Sequence, residues 1–251
     1  MLSLGGIVAV PTVAAATPIK VVIVVGPTGT GTAGNIASAQ QLAAQARSYG
    51  ASVTEIYSPN ATWSRVVAAA NGANLLIDMG HGNGWPSPYA PFQENTKDGL
   101  GLNATANHGN LNVKYYGATY LKASIHLARN AVVILRGLCY SAGNSEPGNP
   151  IPSVTAGRQR IDNFAAGFLK IGAKAVFAEP YSDVGYILGY LFTGKDTARG
   201  IFLYGHGSMG KLLSYSSSRT SGATILANRD TTGHFRRSVA GSLSTVVSFA
   251  H

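Results

Sequence analysis

The sequence predicts an α/β protein: a mainly parallel sheet with helices on both faces, followed by a small C-terminal α+β extension. Three observations carry this. Short, uninterrupted apolar runs recur along the chain, as strands buried on both faces require. Segments of helical apolar spacing lie between them, so strand and helix alternate. The chain has 251 residues, 45% of them hydrophobic and 12% charged, which is enough apolar material for a full core and excludes a disordered chain.

The elements follow in order. Lys20 to Val25 (KVVIVV) is the first buried strand. Asn35 is placed to cap the next helix, where Ile36, Ala39, Leu42, Ala43, Ala46 and Tyr49 recur at helical spacing until Gly50 stops it. Ser52 to Tyr57 reads as a strand, and Thr62 caps a short helix, Trp63 to Ala70. Leu75 to Met79 is the third strand and runs directly into GHGNGWPSPY. From about 85 to 122 the chain is rich in Gly, Asn, Tyr and Pro without a clear period, and irregular insertions of that length are usually functional. Ala131 to Leu135 is the fourth strand, leading to RGLCYSAGNSEPG. Asp162 is read as the cap of a helix carrying Phe164, Phe168 and Ile171 and closed by Gly172. Ala175 to Ala178 is the fifth strand, Val184 to Phe192 is helical, and GATILANRD with HFRRSVAGSLSTVVSF forms a short β unit. Residues 17–251 are expected to be one domain, with the 85–122 insertion.

The first 16 residues are uncharged and apolar, too short for a membrane span, and end in Ala14 and Ala16 at A-x-A spacing. They are expected to be the remnant of a secretory signal, which makes the protein secreted. The net charge of +9 arises from 19 basic and 10 acidic residues, but the basic residues are scattered. That argues for a solvated basic surface and against a nucleic-acid partner. Stable membrane insertion is not expected either.

Gly29, Gly31 and Gly34 match G-x-G-x-x-G after a strand, and Glu55 follows at about the twenty-residue spacing of a ribose-binding carboxylate. A dinucleotide-binding α/β protein is therefore one reading. Against it, Gly26 already follows the strand directly, and Glu55 falls inside SVTEIY rather than at a strand tip. No Lys-Ser/Thr follows Gly31, so a Walker loop is absent as well. The loop is expected to form a wall of a substrate cleft, and no cofactor or metal is expected.

The chemistry points elsewhere. His81 stands between glycines at the end of one buried strand, and Cys139, the only cysteine, precedes small residues at the end of another. The carboxyl edge of an open α/β sheet is where ligands bind. A thiol needs a nearby base or positive charge to act as a nucleophile, and histidine titrates near neutral pH and can serve as that base. Gly82 allows close backbone approach, so its N–H and that of Cys139 can hold an oxyanion. His108 and His206 are also followed by glycine; the first lies in the polar insertion and the second comes after the cysteine. Asp78 is positioned to orient the site or merely to end the strand.

A strand ending in His-Gly, then a later strand ending in a cysteine followed by small residues, resembles the caspase-like clan of cysteine peptidases, which includes metacaspases, legumains, clostripain and gingipains. The likeness runs from about Ile19 to Tyr181, and the histidine precedes the cysteine by a little more than the roughly 50 residues of a caspase. The resemblance implies a His81–Cys139 dyad, an oxyanion hole from the Gly82 and Cys139 backbone, and peptide or protein substrates. Gly137 and Leu138 precede the cysteine in place of the caspase Gln-Ala, so caspase-type aspartate preference does not carry over. An inactive binding module of the same fold is the alternative. For a pocket selecting basic residues, Asp78, Asp98, Asp162 and Asp183 are the candidates, none singled out.

Overall fold

The structure, a computed structural model, describes residues 17–205 and 210–250. The expected leader at 1–16 and His206 lie outside the described residues. Among the described residues, ten strands form an eight-stranded sheet in the order β2-β1-β3-β6-β7-β10-β9-β8 and a separate pair, β4 (Leu100–Asn103) and β5 (Val113–Tyr116). The parallel part is β2 (Ser52–Tyr57), β1 (Lys20–Val25), β3 (Leu75–Met79), β6 (Ala131–Arg136) and β7 (Ala173–Glu179). Strands β10 (Phe235–Gly241), β9 (Thr224–Arg229) and β8 (Lys211–Ser216) add antiparallel to β7. The C-terminal β unit is thus a continuation of the main sheet.

Period-two alternation divides each central strand between two cores. Val22 and Val24, Leu76, Val133 and Leu135 face one side, where α2 (Trp63–Ala70), α3 (Ala118–Ser124) and α4 (Val154–Leu169) supply Val66, Leu121, Phe164 and Phe168. Val21 and Ile23, Leu75 and Ile77, and Val132 and Ile134 face the other, against α1 (Thr32–Ser48), α5 (Gly185–Thr193) and α6 (Ala198–Tyr204). Both faces of β1, β3 and β6 are therefore covered, which is why they read as continuous apolar runs, while the edge strand β2 is half exposed.

Three elements depart from their sequence reading. Helix α1 begins at Thr32, whose hydroxyl accepts from the Thr28 N–H at 2.8 Å, so Asn35 is not its cap. Helix α4 begins at Val154, with the Ser153 hydroxyl accepting from Ala156 N at 3.1 Å. Asp162 lies inside that helix and its carboxylate accepts from Ser217 and Ser218, tying α4 to the chain after β8. Within the 85–122 stretch, β4 (Leu100–Asn103) and β5 (Val113–Tyr116) form a two-stranded hairpin.

Candidate active site

Strand order places β2 on one side of β1 and β3 on the other, so the chain reverses its direction of progress between β1 and β3. Such a switch point opens a crevice at the carboxyl ends of the strands. A cavity of about 780 Å³ occupies it. The loop after β1 contributes Thr28, Gly31 and Asn35, the loop after β3 Gly80 to Asn83, and the turn after β6 Gly137 and Cys139. Tyr89, Lys97 and Tyr115 come from the 85–122 stretch, and Glu146 and Pro147 close the remaining side.

His81 and Cys139 thus line one cavity from neighbouring strand ends. His81 is exposed and Cys139 half-buried. The two loops touch at Gly82: a Cβ there would lie 2.0 Å from the Cys139 carbonyl oxygen and 2.7 Å from its nitrogen. Only a glycine admits that approach. Cys139 itself sits between Gly137 at φ 81° and Tyr140 at φ 71°. The left-handed region is disfavoured for a bulky aromatic, and such strain gathers at functional sites. The turn is held by the buried Tyr140 ring under the Arg160 guanidinium, 4.8 Å away, and by Ser141 Oγ donating to Leu138 O at 2.8 Å. Among the described residues, neither the Gly82 nor the Cys139 backbone N–H has a hydrogen-bond partner.

The thiol is not ionised at rest. Burial, with a smaller contribution from the Glu146 carboxylate, pushes Cys139 up to about 11. Asp78 does not orient His81. Its side chain is fully buried, neither carboxylate oxygen has a hydrogen-bond partner among the described residues, and burial raises it to about 8. His108 lies exposed on the loop between β4 and β5. None of the four aspartates considered for a basic-residue pocket lines the cavity. Besides Asp78 and Asp162, Asp98 accepts from Trp85 N at 3.1 Å and Asp183 from Gly185 N at 3.1 Å.

The glycine-rich loop does line the cleft, but several of its amides are taken. Thr28 N donates to Thr32 Oγ1, Gly29 N to Asn110 O at 2.8 Å and Gly31 N to Thr28 O at 3.2 Å. Gly34 has open space where a dinucleotide fold would pack helix on strand, and Glu55 accepts from Arg47 and Tyr57. These three amides are not free to hold a pyrophosphate. Among the described residues, no group of three or more His, Cys, Asp or Glu could hold a metal, and no helix is long and apolar enough to cross a membrane.

Glu146, Tyr89, Lys97 and Tyr115 carry no signal in the sequence that distinguishes them from other loop residues. Only the folding of two irregular segments over the sheet edge brings them to the cavity.

No family model matches the chain, and no curated protein matches it. The solved structures similar to it include the crystal structure of the Arg-specific cysteine proteinase gingipain R (RGPB), at a TM-score of 0.41 and 12% identity. That likeness covers 92% of this chain and 62% of the proteinase, so the chain spans less than two thirds of its length. A likeness of that size fixes neither a family nor a reaction.

Proposed function

We propose that this protein is a secreted cysteine endopeptidase of caspase-like fold, acting through Cys139 and His81. One observation carries the reading. The lone cysteine and a glycine-flanked histidine stand at neighbouring strand ends on one cavity, with Gly82 packed on the Cys139 backbone.

The chemistry follows from the protonated thiol. With substrate in place, His81 takes the Sγ proton as sulfur attacks the peptide carbonyl carbon, so a standing thiolate is not required. The carbonyl π bond becomes an oxyanion, held by the free N–H groups of Gly82 and Cys139. His81 then gives its proton to the leaving amine as the C–N bond breaks, and a thioester remains on Cys139. Water, deprotonated by His81, attacks that thioester; the acid leaves and the thiol is restored. The test is cleavage of a peptide library by wild type beside Cys139→Ala. Cleavage by the first and not the second is expected; equal cleavage by both refutes the mechanism.

An inactive binding module is the second reading, and the raised thiol of Cys139 favours it. Absence of cleavage, with peptide binding retained, identifies that case.

A further inference from the structure

Two side chains of full charge line the cavity besides His81, and their situations differ. Lys97 is only 3% exposed, and its ammonium donates to Asn83 Oδ1 at 2.7 Å and Ser87 Oγ at 3.2 Å. It ties the 85–122 stretch to the loop after β3. Burial lowers its pKa, so it is a weak claimant for an anion.

Glu146 is half-buried on the loop after Cys139. Its Oε2 accepts from the Tyr89 hydroxyl at 2.7 Å and from Asn149 Nδ2 at 3.4 Å, and the buried Tyr140 hydroxyl acts on the same carboxylate. Glu55, Glu94, Glu179 and Asp230 each hold an arginine or lysine within ion-pair distance. Glu146 holds no such partner among the described residues, although the chain has 19 basic residues against 10 acidic. Lys97, whose ammonium lies over the Tyr89 ring at 5.5 Å, and Arg160 act on this carboxylate only from beyond ion-pair distance; facing the cavity, it offers an incoming ammonium or guanidinium a charged acceptor.

We infer that Glu146 selects substrates carrying lysine or arginine beside the scissile bond, pairing with that side chain inside the cavity that holds His81 and Cys139. The inference rests on the peptidase reading above. It also bears on activation. The same carboxylate contributes to holding the Cys139 thiol protonated, so a substrate cation that neutralises it eases transfer of the Sγ proton as the site fills.

The experiment has two arms. In the first, wild type, Glu146→Gln and Glu146→Lys are assayed on matched peptides that vary Lys, Arg, norleucine, Gln, Asp and Glu at the cleavage position. The expected result is a preference for Lys and Arg over norleucine of roughly tenfold or more in kcat/KM, as for hydrogen bonds to charged groups. Glu146→Gln should remove that preference, and Glu146→Lys should turn it toward Asp and Glu. In the second arm, affinity for the same peptides is measured by fluorescence anisotropy with Cys139→Ala, which needs no turnover.

Cleavage that ignores the basic residue, or that favours Asp and Glu, overturns the inference and leaves the peptidase reading standing. Binding of basic peptides that depends on Glu146, without cleavage by wild type, refutes the peptidase and supports the recognition. Neither binding nor cleavage of any peptide overturns both.

Discussion

The state of the Cys139 thiol is open to direct measurement by alkylation with iodoacetamide across pH. Burial, and to a smaller extent the Glu146 carboxylate, push its pKa up to about 11. A free thiol ionises at about 8.5. That gap makes the reactive thiolate roughly 300-fold rarer near neutral pH. A more basic thiolate attacks faster, with a Brønsted coefficient of about 0.4–0.5, which recovers roughly tenfold to twentyfold. The net expectation is a rate about 15- to 30-fold below that of a free thiol at pH 7, rising close to tenfold per unit through pH 10. Partial burial scales the whole profile without moving its midpoint, so the shape carries the information. Replacing Glu146 by Gln removes a negative charge that opposes the thiolate, and the midpoint should fall; burial remains, so it should not reach the free value. Saturation of wild type with a lysine- or arginine-containing peptide analogue should move it the same way. A rate already level at pH 7 would mean a standing thiolate, and the argument from burial would fail.

Three further outcomes are expected. Gly82→Ala sets a Cβ 2.0 Å from the Cys139 carbonyl oxygen, so the two loops must part; a hundredfold or greater loss of kcat, with a stability loss of roughly 1–3 kcal/mol by denaturant titration, is expected, and wild-type turnover would refute the role given to this contact. Asp78 ionises near its ordinary 3.8 when unfolded but only at about 8 when folded, so stability falls as pH climbs between those values; Asp78→Asn should flatten that slope and raise Tm at pH 8 by several degrees, and a lower Tm would refute it. Millimolar NAD, NADP or ATP should leave Tm unchanged, since the amides of Thr28, Gly29 and Gly31 are engaged; a ligand at a hundred times its Kd would add roughly 2.7 kcal/mol and show clearly.

What could be read in advance depends on how much of an element's partner lies close in sequence. β1, β2, α2 and β3 have the limits their sequence patterns imply: β1 and β3 are uninterrupted apolar runs, and Ser58-Pro59 and Asn71-Gly72 close β2 and α2. The α4 start was obscured because Ser153 caps it from a proline-bearing stretch, while Asp162 has a cap's chemistry and spends it on Ser217 and Ser218. β4 and β5 are four residues each, the first broken by Gly101, and their pairing partners are each other, so no sheet pattern announces them. His81 and Cys139 stood out because each follows a buried strand directly. Glu146 could not, since its position against the cavity depends on how a loop of Gly, Asn and Pro folds back.

The glycines of the first loop and the 85–122 stretch belong to one arrangement. A Cβ on Gly26 would stand 2.1 Å from the Gly101 carbonyl oxygen, so the β4–β5 hairpin lies directly on the loop after β1. Gly29 N fastens it a second time, at Asn110 O. On its other side Gly101 is pressed against His81: a Cβ there would be 2.9 Å from the His81 carbonyl oxygen and 3.4 Å from its Cβ. Gly82, next in the chain, meets the Cys139 backbone. Contacts at three glycines therefore run from the first loop through the hairpin to the histidine and on to the cysteine turn. Each position lacks a side chain because backbone must meet backbone there, which is a packing demand and not a phosphate-binding one. The loop that carries the nucleotide-like motif thus anchors the hairpin through Gly26 and Gly29, and the hairpin supplies Tyr115 to the cavity wall and bears on the backbone that carries His81.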